Sequence, residues 1–267
     1  MDLNLAIICV LTFIIHLIGT LAYSIRIAGV QTRRIAVSFA LFNILVLVSR
    51  TSNSFQGPFL AKRVEQNLLH PTAHNLLADF RWLLFSATAA SIAGAFLIPT
   101  FQRFFSRAVE EFQIHRSIPR LLLHIFFKGG LSQIKDAVSL PSSGNMTQLK
   151  DSQAISAGTI ALNVVDVALW TVGVFAALYA GYLNPQLRVT SSTLSSIVNG
   201  VATILMFVII DPQLSVMTDD VVEGKLTEPS FRSAIVWLVG SRLAGTVLAQ
   251  LLLVPAATLI VFVAERL

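Results

Sequence analysis

Arg50, Arg81 and Arg242 stand beside or within long apolar runs, and so do Asp79 and Asp166. A charged side chain at membrane depth costs about 2.5–3.5 kcal/mol or more, so each marks a candidate site. Arginines at such depth suit an anionic ligand, because the planar guanidinium pairs with phosphate oxygens in bidentate fashion.

Each charge has its own setting. The mostly apolar, uncharged part of the segment before Arg50, Ile35 to Val48, is 14 residues, or about 21 Å of helix. That is short of the hydrocarbon core, so the helix is expected to run through Arg50 to about Phe55. Arg50 and its sequel Thr51, Ser52, Asn53 and Ser54 then form the polar upper end of a span. Arg50, with Asn53 beside it, either faces an outer cavity or snorkels to the headgroups. Arg81 precedes a clean apolar run from Trp82 to Ile98 and reads as an interfacial anchor or a second outer cation. Asp79 enters from the same side and can neutralise one of the two arginines. Asp166, in LNVVDVALW, lies well inside its span and is too short to snorkel. It faces water, carries a proton, or belongs to an ion pair. Arg242, in LVGSRLAGT, reaches the depth of Asp166 if its helix is continuous, which makes the two a natural pair. If 231–240 lies along the surface, Arg242 is interfacial instead. His16, Asn43, Asn163, Asn199 and Gln250 add neutral polar groups to a bundle interior.

Other chemistries find little support. No G-x-x-x-x-G-K-[ST] loop exists, since VVEGKLTEP lacks the upstream glycine, so nucleotide use is not expected. EEFQIHR (110–116) resembles the paired glutamates of intramembrane CAAX-type proteases, but its arginine is one residue too far along. Neither H-E-x-x-H nor G-x-S-x-G occurs. The single cysteine, Cys9, cannot form an intrachain disulfide, and no Cys/His spacing suits zinc. The reading is therefore no catalytic residue, no metal and no cofactor.

The elements that position these charges follow from composition. The chain is 55% hydrophobic and 12% charged, against about 25% charged in soluble domains. Its apolar runs are continuous, which excludes the alternation of a membrane barrel. The expected fold is an all-α polytopic membrane protein, one domain over 1–267. Six spans fall at about 3–27, 34–55, 74–99, 154–182, 192–211 and 231–264. The net charge of +5 is read as loop cations touching anionic lipid, with no nucleic acid. Arg26, Arg33 and Arg34 in the first loop, and the cations of the third, put those loops in the cytoplasm and both termini outside. The first span is read as retained, not as a cleaved signal, because no basic region precedes it.

The third loop is expected to carry a basic amphipathic segment within 100–150. Phe101, Phe104, Phe105, Ala108 and Phe112 fall at helical spacing, suited to the headgroup zone of the inner leaflet. IPRLLLHIFF (118–127) is too short to span, and 141–145 reads as a flexible break. Three spans on either side of that loop would make two inverted halves, a design common in transporters.

The residues favour a lipid-linked diphosphate, whose head group needs a cationic, hydrated path while its tail stays in lipid. A flippase, a membrane phosphatase or transferase on polyprenyl diphosphates, and a non-catalytic envelope scaffold all remain open on residues alone. The run LAYSIRIAGVQTRRIAVSFALFNILVLVSRTSNSFQGPFL (21–60), with the six-span layout and the length, resembles the Amj family of alternative lipid II flippases from Firmicutes such as Bacillus. The resemblance implies a multi-pass protein of the bacterial cytoplasmic membrane that is no enzyme. It implies translocation of the undecaprenyl-diphosphate-linked peptidoglycan precursor from the inner to the outer leaflet, a role overlapping that of the unrelated flippase MurJ. On that reading Arg50, Arg81 and Arg242 bind the diphosphate at successive depths, with Asp79 and Asp166 balancing or gating them.

Overall fold

The computed structural model describes residues 2–70, 75–115, 117, 138 and 155–267. IPRLLLHIFF and the break at 141–145 lie outside these residues. The described residues form no strand, and six helices are long and apolar enough to cross a membrane. They are α1 (Leu3–Thr32), α2 (Ile35–Leu69), α3 (Leu76–His115), α4 (Ala157–Leu183), α5 (Pro185–Val222) and α6 (Glu228–Ala264).

Local chemistry sets the helix ends. Asp2 caps α1 by accepting from the Leu5 amide at 2.8 Å, and Ser156 caps α4 by accepting from the Thr159 amide at 3.1 Å. Thr227 caps α6, with Pro229 in its first turn. At the other end of α1, Arg33 adopts φ 54°, the left-handed conformation that closes many helices.

Three segments differ from the lengths read in the sequence. α2 does not end near Phe55 but runs to Leu69, through Pro58. The Thr51 and Ser54 hydroxyls donate to the carbonyls of Leu47 and Arg50 one turn back, at 2.8 and 3.0 Å. Their polarity is thus absorbed by the helix itself. α3 continues past Pro99 to His115, so the aromatic residues from Phe101 to Phe112 extend a spanning helix. Their apolar face is covered by protein: Phe101, Phe104 and Phe105 pack with Ile25, Ala28, Phe39 and Phe42, and Phe112 with Leu41 and Val109. α5 is broken. A 3-10 turn at Pro185–Leu187 and helical pieces at Arg188–Thr193 and Ser195–Ile204 lead into a π turn, Leu205–Ile210, and then Asp211–Val222. Pro212 has no amide hydrogen, and its ring clashes with the carbonyl four residues back, which accounts for the widened turn before it.

The helices alternate in direction, and side-chain pairs fix their levels. Thr12 meets Gln56 and Gly29 lies against Ser38, so α1 and α2 are antiparallel. Ser86 donates to the Cys9 carbonyl and Gln102 to Gln31, so α1 and α3 are parallel. Asn163 donates to Ser241 and Asn184 to Glu265, so α4 and α6 are parallel. α1 packs most extensively on α3 and then α2, and α4 on α6 and then α5. The two halves therefore share one packing order. Close approach uses glycine: a Cβ at Gly94 would lie 2.7 Å from the Cβ of Thr20, and one at Gly245 would lie 2.7 Å from the Val164 carbonyl oxygen.

Two apolar clusters lie along the bundle. Nearer the N-terminal end, Leu5, Ile8, Phe80, Leu84, Phe175 and Leu253 pack together. Toward the other end Tyr23, Ile27, Ile98, Phe231 and Leu238 do the same. The level between them is polar.

Candidate functional site

The polar level is built on one face of each of three helices. α1 contributes His16, Gly19, Thr20 and Tyr23, which are three or four residues apart and so share a face. α4 contributes Asn163 and Asp166, one turn apart, and α6 contributes Ser241 and Arg242. His16, Thr20, Asn163, Asp166 and Ser241 are all buried.

Arg242 is half-buried, and its Nε donates to Thr20 Oγ1 at 3.1 Å. Its guanidinium lies over Gly19, where an added Cβ would overlap Nη2 and reach Cζ at 3.0 Å. Absence of a side chain at residue 19 therefore creates the seat. Among the described residues no carboxylate lies within 4.0 Å of Arg242, although its charge acts on His16, Tyr23 and Asp166. Asp166 is level with it and 1% exposed, yet among the described residues its Oδ1 has no hydrogen-bond partner. Asn163 Nδ2 donates to Ser241 Oγ at 2.7 Å and to the Leu238 carbonyl at 3.2 Å, which leaves Asn163 Oδ1 without a donor. His16 Nδ1 is likewise without a partner among the described residues. Buried polar atoms are nearly always satisfied, so three orphans around one unpaired cation mark a place built for something other than packing.

The remaining predicted residues are placed elsewhere. Asp79 neutralises neither Arg50 nor Arg81. It accepts from Arg63 Nε at 2.7 Å, and Arg63 Nη1 also donates to Asp2 at 2.9 Å. This triad, buried at Arg63 and Asp79 and exposed at Asp2, fastens the start of α1, the end of α2 and the start of α3. Arg63 lies between the expected spans 34–55 and 74–99, where it reads as a loop cation, and only the extension of α2 brings it into place. Arg81 is exposed near the start of α3, and its backbone carbonyl accepts from Gln250 at 3.1 Å. Arg50 and Asn53 are exposed on α2, and neither side chain has a hydrogen bond or ion pair among the described residues.

Levels change the reading of Arg50. It falls between the Gln56–Thr12 and Ser38–Gly29 contacts, opposite Ile18 and Gly19. That is the midpoint of α1, not the upper end of a span. About 22 Å of helix lies below it and about 28 Å above. Arg50 and the Arg242 guanidinium thus share one depth.

Arg26, which also reads from sequence as a loop cation, is a further functional candidate. It pairs with Asp211 at 2.7 Å, after the π turn of α5, and its guanidinium lies 5.1 Å from the centroid of the Phe39 ring on α2. No group of His, Cys, Asp or Glu among the described residues could hold a metal. At the turn between α5 and α6, Lys225 is held charged above its ordinary range by its hydrogen bond to Glu223 at 2.5 Å.

A family model described as "Alternate to MurJ", Amj, matches residues 11–264. The lipid II flippase Amj of Bacillus subtilis (strain 168) is 36% identical over 252 residues, which cover 91% of this chain and 90% of that protein. No solved structure matches.

Proposed function

Because the chain belongs to the Amj family, we propose that it is a lipid II flippase, a multi-pass membrane transporter rather than an enzyme. It carries the undecaprenyl-diphosphate-linked peptidoglycan precursor from the inner to the outer leaflet, and both termini lie on the outer side. The observation that carries this reading is the half-buried Arg242 guanidinium at mid-depth, between two apolar clusters and without a carboxylate in ion-pair range among the described residues.

A diphosphate is the natural counterion for that group. It offers several anionic oxygens to a fork of donors, and within the membrane no bulk water competes for them. Asp166 offsets part of the Arg242 charge while the site is empty, and Tyr23, Asn163 and His16 supply neutral partners to the head group. Arg81 is a contact nearer the outer end, where Asp79 serves through Arg63 by holding three helix ends together. At the inner end Arg33, Arg34, Arg103 and Arg107 attract anionic lipid. The two like-packed halves suit alternating access, with each apolar cluster closing one side.

The test is transport of fluorescent lipid II across liposomes holding the purified protein. Arg242→Ala is expected to abolish translocation, and Arg242→Lys to retain part of it, since an ammonium keeps the charge but loses the fork. Wild-type translocation that Arg242→Ala leaves unchanged would overturn this site. Release of phosphate from undecaprenyl diphosphate by the wild type would favour the phosphatase reading instead.

A further inference from the structure

α2 has two unlike outward faces. Its inward face is fixed by Gln56, which donates to Thr12, and by buried Ser52, Leu60, Arg63 and Asn67. At about 100° per residue, Phe39, Asn43, Arg50, Ser54 and Gly57 fall together roughly a third of a turn away from it. Asn43, Arg50 and Ser54 are all exposed, and nothing lies within 4 Å of a Cβ placed at Gly57. Val48 and Phe55 are exposed on the other side of the helix. Val48 and Phe55 suit acyl chains. The polar stripe does not, because an arginine at mid-depth against hydrocarbon is expensive.

Two ties show what the stripe faces. At its lower end Phe39 stacks under Arg26, which pairs with Asp211 of α5. At its upper end Glu65 pairs with Arg188, in the first turns of α5, at 3.7 Å. Among the described residues, no hydrogen bond or ion pair joins α2 to α5 between these ties. The stripe therefore lies on the α5 side of α2, in the interval between the two ties. Gly19 lies two turns above Arg26 on the same face of α1, so the guanidinium that sits over Gly19 lies behind that interval.

We propose that this interval between α2 and α5 is the lateral doorway for the substrate, with Arg50 as the cation that first meets its diphosphate. This rests on the flippase reading above. The occupant is the head group of a polyprenyl diphosphate together with water, while the prenyl chain stays in the bilayer. Charge and level support that choice. Among the described residues the Arg50 side chain has no partner, so an anion completes it, and Arg242 waits at the same depth. The head group moves inward from one guanidinium to the other without changing depth. The ties at Arg26–Asp211 and Glu65–Arg188 set the height of the doorway.

The proposal is tested by thiol chemistry in proteoliposomes, on a Cys9→Ala background that removes the native thiol. Ser54→Cys is compared with Phe55→Cys, using a charged methanethiosulfonate reagent that needs a hydrated thiolate. Ser54→Cys is expected to react at least about tenfold faster, because only its side of the helix meets water. Undecaprenyl diphosphate in the bilayer slows that reaction several-fold, and adding Arg50→Ala removes the protection. Equal rates at the two positions, or a fast rate that the diphosphate does not slow, overturn the proposal. So does disulfide formation between two chains at Ser54→Cys, which would make a second copy the occupant. Protection that persists while wild-type protein moves no lipid II supports the doorway and strikes the flippase reading alone.

Discussion

Replacing Gly19 by alanine adds one methyl group at the most consequential point of the bundle. The new Cβ would overlap Arg242 Nη2 and stand 3.0 Å from Cζ, while ordinary contact begins near 3.4 Å. The guanidinium must withdraw by about 1 Å to restore contact distance. Its hydrogen bond to Thr20 is 3.1 Å long, and that retreat takes it past 4 Å, where no bond remains. A hydrogen bond from a charged donor is worth about 1.5–3 kcal/mol, so affinity for a diphosphate seated on Arg242 should fall by about ten- to a hundredfold. The clash falls on the far end of a flexible side chain, so thermal unfolding in detergent should hardly move. Gly240→Ala is the control, on the helix that carries Arg242, at a site with nothing within 4 Å. It should leave transport intact and add up to about 1 kcal/mol of stability through helix propensity. The assays are undecaprenyl diphosphate binding and lipid II translocation. Wild-type binding and transport in Gly19→Ala would refute the argument that the seat is made by the missing side chain.

Further predictions concern stability. Arg63→Met leaves Asp79 charged and buried, and should cost about 3–5 kcal/mol, read as a fall in unfolding temperature. Pairing it with Asp79→Asn should recover part of that loss. Asp2→Asn should cost no more than about 1 kcal/mol, because Asp2 is the exposed member, with 38% of its side chain accessible. Gly245→Ala pushes a methyl group against the Val164 carbonyl at 2.7 Å and Val167 Cβ at 2.8 Å, contacts that cannot swing aside. It should destabilise by about 1–3 kcal/mol through overpacking, visible in the same melt. A Gly245→Ala melt equal to wild type would show that α4 and α6 part more easily than their contact implies.

The six spans were legible because a run of about 20 apolar residues has few alternatives. The length of α2 was not. Thr51 and Ser54 look like a helix end by residue type, yet they satisfy their hydroxyls on carbonyls one turn back. From that one difference follow the mid-depth position of Arg50 and the capture of Asp79 by Arg63. The shared depth of Asp166 and Arg242 could be counted along the chain. Contact of Arg242 with Gly19 and Thr20 could not, because α1 is apolar around much of its circumference and its rotation has no signature in sequence. The aromatic spacing after Pro99 reads as a face for headgroups, but α1 and α2 cover it, because α3 continues through Pro99.

The apolar clusters on either side of the polar level have a second consequence, which is electrical. A membrane that stores an ion gradient loses it through any continuous file of water. Phe80, Leu83, Leu84 and Leu253 above, and Phe231 and Leu238 below, are almost wholly shielded from solvent, and so they act as insulation in series. Exposing one such side chain costs about 1.5–3 kcal/mol, so opening either plug is a collective event, and opening both at once costs roughly the sum. The bundle can thus keep charged and hydrated groups at mid-membrane without becoming a leak, and a single large-to-small change in either cluster should show first as ion conductance rather than as lost transport.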